Sequence, residues 1–165
     1  MSQEIEFLTR AVTIGIGATI IMDVWAILLK RLFSVPTLDY RLVGRWVLYM
    51  PQGKFRHNNI LRTTSVSGER ALGWFTHYVI GIVFAALLLL LAGMQWTQNP
   101  TILPALAVGV ISVAAPFFIM QPCFGFGVAA SKTPAPTTAR LRSLMTHTVL
   151  GVGFYLSALL IAPFW

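Results

Sequence analysis

Residues 71–96, ALGWFTHYVIGIVFAALLLLLAGMQW, carry no Asp, Glu, Lys or Arg. Few folds accept such a stretch. An α-helix needs about 20 apolar residues to cross ~30 Å of hydrocarbon. A membrane β-strand needs only ~10, alternating in polarity, and AALLLLLAG does not alternate. Segments near 102–130 and 144–164 are equally free of Asp, Glu, Lys and Arg and long enough to span, and one near 7–29 is as long, with Arg10 and Asp23 as its charges. Charged residues make up 10% of the chain, against about 25% in soluble domains, and the mean hydropathy is +0.75. The expected fold is an all-α integral membrane protein, one transmembrane domain over residues 1–165 with four spans. The start, MSQEIEFLTR, is acidic and lacks the basic opening of a secretory signal, so the first span is expected to be retained. The single cysteine, Cys123, precludes an intramolecular disulfide.

The basic residues set an orientation. Lys30, Arg31, Arg41, Arg45, Lys54, Arg56, Arg62 and Arg70 lie between spans one and two, and Lys132, Arg140 and Arg142 between spans three and four. The intervening turn, GMQWTQNPTILP, is uncharged. Eleven of the twelve Lys and Arg residues thus fall on one side, which the positive-inside rule makes cytoplasmic. Both termini are then expected outside. Trp96 and Trp165 are expected at the outer interface, Trp25 and Trp74 near the inner one. The net charge of +7 is a topology signal and does not point to nucleic acid. LDYRLVGRWVLYM reads as a short helix in the headgroup plane. Arg41, Arg45, Lys54, Arg56, His57, Arg70 and Arg140 are expected contacts for anionic lipid headgroups, or for an anionic substrate. Pro116 and Pro122, inside the third span, predict a kink that faces protein.

The chain repeats itself. RALGWFTHYVIGIVF (70–84) and RLRSLMTHTVLGVGF (140–154) align without a gap and share Arg-x6-His-x3-Gly-x2-Phe. More faintly, IIMD ending at Asp23 matches FIMQ ending at Gln121. The expected architecture is two tandem two-helix repeats, about 7–96 and 102–164, related by a pseudo-two-fold axis along the membrane normal.

The repeat draws attention to a polar layer. Asp23 lies seven residues before Lys30, His77 seven after Arg70, and His147 seven after Arg140. Each is therefore ~10 Å inward from a basic residue, with Gln121 deeper in the third span. Ala11, Gly15, Thr19 and Asp23 form one small-residue stripe, Gly73, His77, Gly81 and Ala85 a second, and Ser143, His147 and Gly151 a third ending at Tyr155. Such stripes let membrane helices approach closely. A charge at mid-bilayer costs at least ~2.5 kcal/mol, so Asp23 is expected to face the bundle and to meet His77 or His147.

Several functions are compatible with this layer. It could carry a proton, ion or small solute through a homo-oligomer, since intramembrane Asp and His typically mark such paths. It could bind haem between His77 and His147, or a transition metal with Asp23. Met22, Met120 and Cys123 would suit Cu(I). It could simply hold helices together in a structural or assembly subunit. An enzyme acting on lipid, with Asp23 and a histidine as base, lacks an evident nucleophile. There is no HExxH or CxxC motif.

GATIIMDVWA, LVGRWVLYMPQGKFRH, GERALGWFTHYVIG, IMQPCFGFGVAASKTP and ARLRSLMTHTVLG together resemble a family of small bacterial four-helix membrane proteins catalogued as a domain of unknown function. The resemblance covers nearly the whole chain. It implies a single domain in a bacterial inner membrane and brings no activity, cofactor or site residue.

Overall fold

The first helix begins where a serine can cap it. In a computed structural model, which describes residues 2–164, the Ser2 hydroxyl accepts from the Ile5 N–H and opens α1 (Gln3–Phe33). Glu4 and Glu6 occupy its first turn, and Lys30 and Arg31 its last, each complementing the helix dipole. Ser34, in the left-handed region at φ 54°, ends it by donating to the Lys30 carbonyl. The 31 residues of α1 rise about 46 Å, longer than the apolar run at 7–29. Hydropathy marks the part suited to hydrocarbon, whereas capping residues mark where the helix ends.

The remaining elements are α2 (Tyr40–Tyr49), α3 (Glu69–Ala92), α4 (Ile102–Ile111), the single turn α5 (Gln121–Cys123) and α6 (Pro136–Ile161). Among the described residues, four helical stretches are long and apolar enough to cross a membrane: Gln3–Phe33, Glu69–Ala92, Ile102–Cys123 and Pro136–Phe164. The protein is a multi-pass membrane protein. Three further span boundaries differ from expectation. The second span ends at Ala92, because Gly93 turns the chain at φ 82°. The third ends at Cys123 rather than near 130, because Gly125 and Gly127 have φ 85° and 76°. The fourth starts at Pro136, whose fixed φ suits a first helical turn, so polar residues precede its apolar run. The expected break at Pro116 takes the form of a π-helical segment, Pro116–Met120, in which the Gln121 N–H donates to the Pro116 carbonyl. Proline supplies no N–H, so the α-helical ladder cannot run through it. Trp165 lies outside the described residues.

The chain divides into two compact units. The first takes its residues from Met1–Thr37, Tyr78–Ser112 and Met145–Trp165. Its core includes Ile14, Ala18, Met22, Leu88, Leu89, Val108, Leu150 and Phe154. Its helices meet backbone to backbone. A Cβ on Gly15 would overlap Ile82 of α3, and one on Gly81 would overlap the Thr19 hydroxyl of α1. A Cβ on Gly109 of α4 would overlap the Gly151 backbone of α6. A Cβ on Gly153 of α6 would press on the Ala18 backbone of α1, at 2.9 Å a somewhat looser approach. Leu90, Leu91, Leu103 and Leu160 are 70–74% exposed while Thr19 and Ser157 are buried. Apolar outside with small and hydroxylic residues inside suits a lipid solvent. Trp96 is buried here, and its indole N–H donates to the Thr101 carbonyl at 3.1 Å.

The second unit comprises Leu38–His77 and Val113–Leu144. Leu42, Val43, Ile60 and Phe124 form its core, flanked by Tyr40, Trp46, Met120 and Phe126. Helix α2 buries Leu42, Val43, Gly44 and Arg45. A Cβ on Gly44 would overlap the Glu69 carbonyl at the start of α3, and one on Gly73 the Tyr40 carbonyl. This face of α2 therefore meets protein.

Candidate functional site

Asp23 lies one turn beyond Thr19 on the stripe of α1, where Ala11, Gly15 and Thr19 are all buried. Its carboxylate is half-buried and accepts a hydrogen bond from the Tyr78 hydroxyl, Oη to Oδ2 at 3.1 Å. Both belong to the first unit. Tyr78 follows His77 directly, and Thr148 occupies the equivalent place in the second copy of the motif. Sequence reading passed over Tyr78 because the motif is defined by what its two copies share. The signal was the neighbouring phenol, placed ~100° round the same helix turn.

His147, also in the first unit, sits with its Nδ1 2.7 Å from the Ser112 Oγ. The Ser112 hydroxyl in turn lies 2.6 Å from the Gly109 carbonyl. A carbonyl only accepts, so the hydroxyl hydrogen goes to Gly109. The imidazole then donates its Nδ1–H to the serine oxygen, and its lone pair is on Nε2. Ser112 was absent from the sequence-derived candidates, since a lone serine in an apolar span carries no motif.

His77 and Gln121 belong to the second unit. The His77 ring, buried as its stripe predicts, stacks on Tyr40 of α2 at 4.0 Å between centroids and 26° between planes. Trp74 meets it edge-on at 5.8 Å. Gln121 is buried, and its Nε2 donates to the Ser143 Oγ at 3.4 Å, while its Oε1 has no hydrogen-bond partner among the described residues. The two units thus hold two members of the expected layer each. No group of three or more His, Cys, Asp or Glu side chains able to hold a metal occurs among the described residues.

The basic residues of the long loop split into buried and exposed sets. Arg45, 9% exposed, donates from Nε and one terminal nitrogen to Glu69 at 2.8 and 2.9 Å. Its other terminal nitrogen donates to the Ile60 and Thr63 carbonyls at 3.0 and 2.9 Å. His57, 4% exposed, is equally enclosed. Neither presents its polar atoms to a headgroup. Arg41, Lys54, Arg56, Arg70 and Arg140 remain exposed. Of these, Arg41 pairs with Asp39 at 2.6 Å, Lys54 lies 5.0 Å from the Tyr49 ring centroid, and Arg140 Nε donates to the Ala129 carbonyl at 2.8 Å. One further basic residue is buried: Arg10 of α1, 2% exposed, pairs with Glu6 and donates to the Thr97 hydroxyl and the Met94 carbonyl. It braces the turn after α3, a contact across more than 80 residues of sequence that spacing could not signal.

Residues 12–161 match the model of a family described as "Protein of unknown function (DUF2938)". No curated protein and no solved structure matches.

Proposed function

We propose, for a chain that belongs to the DUF2938 family, a role in moving protons or a small ion or solute through a homo-oligomer in a bacterial inner membrane. The observation that carries this reading is the Asp23–Tyr78 pair. A half-buried carboxylate, held by a phenol at 3.1 Å, sits within an otherwise apolar span. Such a group is costly unless it meets a partner or a hydrated path, and it is a functional candidate by default. A hydrogen-bonded phenol lets the carboxylate gain or lose a proton without leaving its place. A second subunit against the exposed side of Asp23 would complete a path that four helices alone are too few to enclose. In this reading both termini face outward, and the exposed Lys54, Arg56, Arg70 and Arg140 meet anionic headgroups on the cytoplasmic side.

In this reading the chain is also two tandem copies of one two-helix unit. Gly81 packs on α1, in the preceding span, and Gly151 packs on α4, in the preceding span. Equivalent motif positions thus make equivalent contacts, as expected of two copies of one hairpin. In this reading α2 also lies along the headgroup plane, with its protein-facing side fixed by Gly44.

The test is reconstitution into liposomes carrying an internal pH dye, with a potassium potential set by valinomycin. Wild-type protein should let the imposed potential drive protons across and shift the internal pH, and Asp23→Asn should fold normally and fail to do so. Flux equal to that of protein-free liposomes would refute proton movement. A second reading, a structural or assembly subunit, is favoured by the engagement of both span histidines, His147 by Ser112 and His77 by Tyr40.

A further inference from the structure

His57 has a role that neither the membrane spans nor the headgroup contacts account for. It sits in the second unit, on the irregular stretch between α2 and α3, and is 4% exposed. The backbone around it is docked onto the end of the third span. The His57 N–H donates to the Cys123 carbonyl at 2.8 Å, and the Ile60 N–H to the Phe124 carbonyl at 3.0 Å. Gly125 closes the seam, since a Cβ there would overlap the Asn58 carbonyl. Two hydrogen bonds and one glycine contact thus tie residues 57–60 to the turn that ends the span.

The imidazole is held in one tautomer. Its Nδ1 lies 3.0 Å from the Thr63 Oγ1, and that hydroxyl lies 3.1 Å from the Asn59 carbonyl. The carbonyl takes the hydroxyl hydrogen, so Nδ1 carries the ring proton and donates it to Thr63. Nε2 is then a bare lone pair, buried and without a hydrogen-bond partner among the described residues. Protonating it would place a second N–H and a full charge where no acceptor stands.

The charged neighbours oppose protonation too. From α2, Arg45 faces the ring with its charge, and Tyr49 offers an aromatic edge at 5.3 Å. Lys54, on the turn after α2, adds a second positive charge. Glu69 of α3 could compensate, yet both its oxygens are already bonded to Arg45. Cys123, at the end of the span, contributes its carbonyl to the His57 N–H. Burial first, then Lys54 and Arg45, hold the His57 pKa below the usual 6.5.

We infer that residues 57–63 are an acid-released clamp on the cytoplasmic-loop end of the third span, with His57 as its trigger. The released form binds a proton at the ordinary imidazole value of 6.5 and the closed form only at lower pH. Closure is therefore favoured above 6.5 and weakens as pH falls below it. Release frees the Cys123 and Phe124 carbonyls and lets the turn at Gly125 move. This is independent of the transport reading, because no flux is needed to observe it.

The experiment is amide exchange of residues 55–64 on the full chain in nanodiscs, from about pH 7.5 to about pH 5.0, normalised to intrinsic rates. His57 and Ile60 amides should be protected at the upper end, and exchange should rise several-fold across the range. His57→Asn keeps a donor for Thr63 and cannot titrate, so its exchange should be flat with pH. Lys54→Gln, an exposed change that leaves the seam intact, removes one opposing charge and should give a smaller rise than wild type. Wild-type protection that does not change with pH would overturn the clamp. So would an acid response of equal size in His57→Asn. Should His57→Asn leave the segment unprotected throughout, the Lys54→Gln comparison decides, with an undiminished rise counting against the clamp.

Discussion

The two units are held together by different chemistry. In the first, Gly15 against Ile82, Gly81 against Thr19, Gly109 against Gly151 and Gly153 against Ala18 bring backbones into contact. Between these contacts the buried polar groups are hydroxyls such as Thr19 and Ser157, and the buried Arg10, paired with Glu6, lies towards the start of α1, away from the glycine contacts. In the second, a fully hydrogen-bonded Arg45–Glu69 pair stands at the centre, tying α2 to α3 and to the Ile60 and Thr63 carbonyls. Lipid tails are as apolar as leucine, so spans gain by close approach and not by burying more leucine. A loop-rich unit with a core as small as Leu42, Val43, Ile60 and Phe124 needs directional bonds to fix its path.

The largest effect that could break this contrast is Glu69→Ala. It leaves the Arg45 guanidinium buried without its carboxylate and should cost about 3–5 kcal/mol. Thermal unfolding and protease nicking within residues 40–77 would register it. Arg45→Met combined with Glu69→Leu should recover much of the loss, because no charge is then left unpaired. A single Glu69→Ala variant as stable as wild type would remove the ion pair from its central place.

Next comes Gly81→Val in the first unit. Its added methyls meet the Thr19 hydroxyl and should cost about 1–3 kcal/mol by overpacking. The loss should appear in thermal unfolding and should not change with salt. Ser112→Ala is expected to be milder, about 1 kcal/mol, because the His147 imidazole loses its hydroxyl partner and is left with the Gly109 carbonyl. The ¹⁵N shift of His147 Nδ1 should move as its hydroxyl partner is lost, and an unchanged shift would count against the bond. Tyr78→Phe should be smallest, about 0.6 kcal/mol, the usual scale of a side-chain hydrogen bond between membrane helices. Asp23 is only half-buried and can find another partner. A loss several times larger would show that the carboxylate is far more enclosed than its exposure indicates.

The same contrast explains what could be read from the chain alone. Four spans were legible because apolar length carries that signal directly. The buried faces of α1 and α3 were legible as well: Ala11, Gly15 and Thr19, then Gly73, His77, Gly81 and Ala85, are all buried. Small residues at a four-residue spacing mark close approach whatever the partner. The polar partners were not legible. Tyr78 for Asp23, Ser112 for His147 and Glu69 for Arg45 lie 24 to 55 residues from the groups they meet, and nothing in local spacing links them. Arg45 and His57 read as surface residues because loops rich in Lys and Arg usually are exposed. Only the folded unit reveals that these two are inside it.

The interleaving of the units along the chain bears on the order in which they can form during synthesis. The second unit needs residues 38–77 and 113–144, and the first needs 1–37, 78–112 and 145–165. A ribosome therefore releases the last residue of the second unit some 21 residues before that of the first. At ~5–20 residues per second, this is a lead of about 1–4 s. In that interval the ion pair of Arg45 and Glu69 can already close, while Gly109 still lacks Gly151 and Gly153 has yet to reach Ala18. The charged unit is thus ready first, and the glycine-lined helices of the other complete their packing only when the fourth span has been threaded.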